Sequence, residues 1–222
     1  MNTKTEKSIG NRASDKVEQE LRHLILTLEL EPGLAVSEAT LMKQYGWGRT
    51  PLREAFQRLA AQSLVQLIPR HGVVITPLSV FDFVDVMDAM GLVVGAAASL
   101  ACKHLDEEDL SRLDELVTQA EAAATRNDYI SLADLDYAFH RQLAEATGNR
   151  YLCQHLIHLH QVATRFNFAA WKRDDSAGPS IDEHRRIVAT LRQREPSAAR
   201  QIMLEHIEAA RQRVLKTMAA EE

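Results

Sequence analysis

The sequence predicts a mainly α-helical protein in two parts: an N-terminal winged helix-turn-helix with a small β-hairpin wing, then an all-helical bundle. Three observations carry this. Two short apolar-periodic segments, 37–45 and 48–60, are separated only by Gly46 and Trp47. A β-branched run, Val73-Val74-Ile75-Thr76, follows a Pro-Arg-His-Gly turn at 69–72. After Thr76 no alternation of period two appears, and apolar residues recur at helical spacing to the end of the chain.

Residues 1–13 are polar, with no apolar signal core, and read as a flexible tail. The first part spans 14–77. From Ser14 or Asp15, either able to cap, Val17, Leu21, Leu24, Ile25 and Leu28 follow a helical period. Glu31-Pro32-Gly33 stops that helix. Ser37 caps a second, carrying Leu41, Met42 and Tyr45, and Gly46 ends it. The third opens at Gly48 and Thr50-Pro51, where Thr50 can cap and Pro51 fits the first turn. Its residues Leu52, Ala55, Phe56 and Leu59 share an apolar face, and Arg49, Arg53 and Gln57 share another. A short helix with one buried face and a guanidinium-amide stripe can enter a major groove, because the planar Arg fork matches guanine edges and phosphates. Ser63–Ile68 and Val73–Thr76 then form a hairpin whose tip holds Arg70, His71 and Gly72, within reach of phosphates or a minor groove.

Pro77 ends the wing, and 78–222 form the second domain. Helices are expected at about 79–103, 106–126, 128–146, 150–171, 179–194 and 196–218. Asp106, Asp128 and Pro196 sit at starts; Gly148-Asn149 and Ala177-Gly178-Pro179 mark breaks. The net charge of −5 is unevenly spread. Residues 1–80 hold ten Lys/Arg against eight Asp/Glu, and the rest hold sixteen against twenty-three, so an acidic domain follows a mildly basic one. Two cysteines, Cys102 and Cys153, are too few for a disulfide framework or zinc finger and read as reduced thiols. The longest apolar run, Ala89–Cys102, falls short of the roughly 20 residues that span a bilayer. A cytoplasmic protein without a membrane partner is expected.

Nine histidines are unevenly placed. Asp136 and His140, four apart on one helix, can point the same way. His184 lies on the next-to-last helix and His206 on the last. One carboxylate and three imidazoles from three helices could converge inside a bundle, a donor set suited to Zn, Ni, Mn or Fe without choosing among them. His155, His158 and His160 are a rival group, but three such positions cannot all face one point on a helix; they read as surface or pocket-wall residues.

The run Gly46-Trp47-Gly48-Arg49-Thr50-Pro51-Leu52-Arg53-Glu54-Ala55, with its wing, resembles the winged helix of the GntR family. The second domain resembles the FCD effector domain of the FadR-like branch. The matching stretches are Asp136-Tyr137-Ala138-Phe139-His140, Gly148-Asn149-Arg150-Tyr151-Leu152, Glu183-His184-Arg185-Arg186-Ile187 and His206. Six helices point to the VanR-type group. The resemblance implies a dimeric transcription factor, usually a repressor, that binds palindromic double-stranded operator DNA. It implies a small effector, commonly an organic acid, beside a divalent metal held by Asp136, His140, His184 and His206. Arg49, Arg53 and the wing tip would contact DNA. Two departures stand out: Ala39 replaces a frequent Arg, and Met90 and Val94 replace an Arg and a Glu on the first effector-domain helix. A buried Met cannot hold a carboxylate, so the effector is less charged, binds through the metal and another base such as Arg165, or is absent; Arg165 and Met90 are the candidate effector contacts. The alternatives are a metal-responsive regulator without an organic effector, and a metal-dependent enzyme fused to a DNA-binding module. Against the enzyme stands the absence of an acid/base pair, a phosphate-cradling loop or a nucleophile motif.

Overall fold

The computed structural model describes residues 3–69, 72–174 and 177–219, with side chains from Ala13 onward. The chain divides into two compact units, 1–78 and 79–222. In the first, α1 (Thr3–Leu26) is followed by β1 (Ala35–Val36), α2 (Glu38–Tyr45), α3 (Arg49–Ala60), β2 (Val65–Ile68) and β3 (Gly72–Ile75).

Each boundary has a local cause. The Ser37 hydroxyl accepts from the Thr40 amide at the start of α2. Gly46 closes α2 in the left-handed region at φ 72°, which a side chain would resist. Gly48, not Thr50, is the N-cap of α3, so Thr50 lies inside the first turn with its side chain exposed. The apolar stripe of α3 is buried as its spacing requires. Leu52, Ala55, Phe56 and Leu59 pack with Leu21 and Ile25 of α1, Leu41 of α2, and Val73 and Ile75 of β3. Phe56 is 2% exposed. Phe56→Ala is expected to destabilise this unit by about 3–5 kcal/mol, through lost burial plus a cavity, measured by denaturant unfolding.

Two features depart from expectation. Helical backbone begins at Thr3, so residues 3–13 continue α1 and Ser14 is an interior residue rather than a cap. The Ser14 hydroxyl instead donates to Glu54. Propagating a helix already nucleated by Val17, Leu21 and Ile25 costs far less than starting one, and no proline interrupts this stretch. The second departure is β1, which pairs antiparallel with β3 (Ala35 opposite Val74) and makes the wing a three-stranded sheet of order β1-β3-β2. Two residues carry no readable alternation.

The second unit holds α4 (Val80–His104), α5 (Glu107–Thr125), α6 (Tyr129–Glu145), α7 (Arg150–Asp174), α8 (Gly178–Arg192) and α9 (Pro196–Ala219), with no strand among the described residues. Asp106 caps α5 in a capping box with Asp109, and Asp128 caps α6 by accepting from Ser131. α7 runs to Asp174, past its expected end. The main packing partners are α4 with α9, α6 with α7, and α5 with α6. At Gly95 a Cβ would stand 2.9 Å from Arg200 Cγ and 3.2 Å from Leu204 Cγ, so the absent side chain lets α4 lie close on α9. The helix containing the Ala89–Cys102 run is longer than the run itself. α4 is long and apolar enough to cross a membrane, yet it packs within the bundle, burying Phe83, Met87, Met90, Val94 and Ala98. Cys102 is buried and Cys153 half-buried, both as free thiols.

Candidate functional site

Two sets of functional side chains emerge, one in each unit. On α3 the face opposite the core exposes Arg49, Thr50, Arg53 and Gln57. Arg58, on the flank, is anchored to Asp15 at 2.6 Å and Glu18 at 3.1 Å, tying α3 to α1. Trp47 donates its indole N–H to Glu20 at 2.6 Å and stacks on Tyr45 at 4.6 Å, which sets the turn between α2 and α3. Gly72 opens β3. Arg70 and His71, expected at the wing tip, lie outside the described residues.

In the bundle, α6 contributes Asp136 and His140, α8 contributes His184 and α9 contributes His206, all buried. The i, i+4 spacing on α6 aims both its residues inward. His184 Nε2 stands 3.2 Å from His140 Nε2, and His206 Nε2 stands 3.4 Å from the same atom. Asp136 Oδ1 is 3.7 Å from His184 Nε2 and 3.9 Å from His140 Nε2, too far for hydrogen bonds. The four residues expected together are thus neighbours, with the three imidazoles forming the tight cluster and the carboxylate bordering it.

The electrostatics follow from burial. Burial, then the neighbouring imidazoles, drives His140 and His184 well below the ordinary histidine value, so both rings are neutral donors of a lone pair. Burial lifts the Asp136 carboxyl to about 7, opposed only by the charge of Arg213. A neutral ring carries one N–H. His140 Nε2 faces two other nitrogens, and one proton can serve only one of those contacts. A cation between the rings removes the conflict. Nitrogens held at 2.0–2.1 Å round a tetrahedral ion stand about 3.3–3.4 Å apart, close to the spacings found. The residues present therefore fit a divalent metal.

Two further residues escaped the sequence reading, and a third, expected as a surface or pocket-wall residue, reaches the cluster itself. Glu183 accepts from His206 Nδ1–H at 2.8 Å, and Arg213 clamps Glu183 at 2.5 and 2.9 Å. Burial raises the Glu183 carboxyl, but the hydrogen bonds from His206 and Arg213 outweigh it and leave it below the usual range. This carboxylate fixes the His206 tautomer with Nε2 facing the cluster. The available signals were adjacency, Glu183 beside His184, and the seven-residue step from His206 to Arg213 along one face of α9. The third residue is His160 of the rival group. It is buried, stacks on His140 at 4.0 Å, and is held at about 3 by burial and by His206. His155 is exposed and His158 half-buried.

Two small cavities flank the cluster. One, about 20 Å³, lies between α4, α6, α7 and α9, with Val94, Ala98, Leu143, Met203, His140 and His160 in its wall. The other, about 10 Å³, touches Asp136, Phe139, Trp171 and His184. Each has room for about one water. Met90 and Arg165 are buried on α4 and α7, and neither lines these cavities. Burial depresses the Arg165 guanidinium to about 10.

Comparison with known proteins identifies the family. Residues 13–75 match the family model for bacterial regulatory proteins of the gntR family, and residues 85–209 match the FCD domain. A transcriptional regulator from an unstable DNA locus of Streptomyces ambofaciens is 30% identical over 193 residues, covering 85% of this chain and 79% of its own. The transcriptional repressor GlaR of Escherichia coli is 25% identical over 195 residues, covering 84% and 89%. Among solved structures, Escherichia coli McbR/YncC superposes with a TM-score of 0.82 at 18% identity, over 95% of this chain and 99% of its own. A putative GntR regulator from Rhodococcus superposes with a TM-score of 0.75 at 22% identity, over 91% and 97%. The relatives are transcriptional regulators, not enzymes, and the chain belongs to the GntR family, with a winged helix-turn-helix followed by an FCD domain.

Proposed function

We propose that this GntR-family regulator is a homodimeric repressor acting in the cytoplasm, whose grip on operator DNA is controlled by a small effector bound beside a divalent metal. The observation that carries the DNA half is the exposed Arg49-Thr50-Arg53-Gln57 stripe on a helix whose other face is locked in the core. Arg49 and Arg53 read base edges and phosphates. Arg70, His71 and Gly72 of the wing engage the adjacent backbone. Two-fold symmetry places two such helices on one face of a palindromic site. Relatives named as repressors favour repression over activation.

The bundle half rests on the buried histidines. Asp136, His140, His184 and His206 hold the ion, and Glu183 orients His206. A metal held there supplies a Lewis-acidic anchor for one oxygen of an organic acid. The effector enters by widening the cavity walled by Val94, Ala98 and His160; Met90 and Arg165 become contacts only as the bundle opens. With six helices among the described residues, the bundle fits the VanR-type group. A metal that is itself the signal is the second reading, favoured by the small size of both cavities.

The test is binding of the full-length protein to the intergenic DNA beside its own gene, followed by fluorescence anisotropy. Arg53→Ala is expected to cost about 1–3 kcal/mol. Unchanged affinity for that DNA removes Arg53 from the readout. Release of DNA on adding an organic acid supports the effector reading, and release by chelator alone supports the metal as signal.

A further inference from the structure

We infer that Glu38 is a positioning residue that pre-sets Arg53 to read guanine. The inference rests on the operator reading above, and goes beyond it by assigning the base and the residue that selects it. Glu38 is the first residue of α2, and Arg53 lies one turn into α3. Arg53 Nε donates to both carboxylate oxygens of Glu38, at 3.0 and 2.9 Å. Among the described residues these are its only hydrogen bonds, so the terminal nitrogens Nη1 and Nη2 make none and belong to a side chain that is 60% exposed. A guanidinium held by Nε offers its opposite edge, the Nη1/Nη2 fork, which matches the O6 and N7 acceptors of guanine in the major groove. Adenine presents one acceptor and one donor there, and meets the same fork with a donor facing a donor.

The pair is too open to serve the fold. The Arg53 side chain is 60% exposed and that of Glu38 32%, a setting in which ion pairs add little to stability. A carboxylate facing phosphates is also repulsive, so on purely electrostatic grounds an operator reader does better without it. Its place is nevertheless well supported: the N-terminus of α2 favours a negative charge, and Ser37 caps the same turn. A residue that costs general affinity, adds little stability and holds one long flexible side chain in a single orientation gains selectivity.

The experiment uses the full-length protein and a pool of duplexes with randomised cores, selected by binding and sequenced. Wild type, Glu38→Gln, Arg53→Ala and the double variant are compared. The wild type is expected to demand G·C at one position of each half-site, and Arg53→Ala to flatten that position. Glu38→Gln is expected to bind random duplex more tightly, yet to lose about tenfold of its guanine preference at that position alone. The double variant should be no flatter than Arg53→Ala. If Glu38→Gln tightens all sequences alike and keeps the guanine preference, Glu38 is only a local charge and the inference fails while the operator reading stands. If Arg53→Ala changes no position, the operator reading at Arg53 fails and the inference falls with it. A demand at that position for a base other than guanine overturns the assignment of the fork.

Discussion

His140→Ala is expected to leave the protein without tightly bound divalent metal, whereas Glu183→Gln keeps the metal but binds it about 10–100-fold more weakly. His140 is central because its Nε2 is the atom that both other imidazole nitrogens approach, at 3.2 and 3.4 Å. Removing it leaves two nitrogens and a carboxylate that sits off to the side. Glu183 touches the cluster only through His206 Nδ1. An amide there can still accept from His206, but it no longer stabilises the ring electrostatically and no longer answers Arg213. Elemental analysis after gel filtration separates the two variants, and a chelator competition gives their Kd ratio. Metal at full stoichiometry in His140→Ala would remove the site. A stability readout accompanies this: with metal at 1,000 times its Kd, the loaded bundle gains about 4 kcal/mol over the stripped one, a difference that should vanish in His140→Ala.

The elements of this protein were legible because each carries a local signal. Ser37, Gly46, Asp106, Asp128 and Pro196 mark ends by capping or by conformation, and those positions need nothing from the rest of the chain. The three-and-four spacing on α3 announces which side is buried, and by elimination which side faces out. What was not legible depends on packing between elements. β1 exists only because β3 lies beside it. The Glu38–Arg53 pair joins residues fifteen apart on two helices, and the angle of that turn decides whether they meet. Asp136 and His140 declare themselves by their i, i+4 spacing. His184 and His206 are candidates from their places on the last two helices, and the family pattern strengthens them; Glu183 and Arg213 gain their role only once α8 lies against α9. His160 is the sharpest case: among three histidines within six residues, read as surface or pocket wall, it is the one that turns into the cavity wall, and nothing in the spacing shows that it also stacks on His140.

Acid should unfold the metal-free protein well before ordinary carboxylate titration would. In the folded chain His140 and His184 are held well below 6.5, and His160 at about 3, by burial first and neighbouring imidazoles second. In the unfolded chain all three titrate near 6.5. Below that pH the unfolded state binds three protons that the folded state refuses, so the stability present above about 6.5 is lost as pH falls. Asp136 works in the opposite sense. Its folded value of about 7 lies above the unfolded carboxylate value, so between about 4 and 7 the folded state holds one proton that the unfolded state does not. The net effect is an excess of about two protons on the unfolded chain just below pH 6.5, so stability falls as the pH is lowered from there. Denaturant midpoints of chelator-treated protein at pH 7.5 and 5.5 measure it. His160→Gln is expected to reduce the slope by about half, because it removes one of the two uncompensated protons while leaving every member of the proposed metal-binding set in place, though it also removes the ring stacked on His140. A midpoint that does not move between the two pH values would mean that the cluster is not kept neutral, and that the rings open to water when the metal is gone.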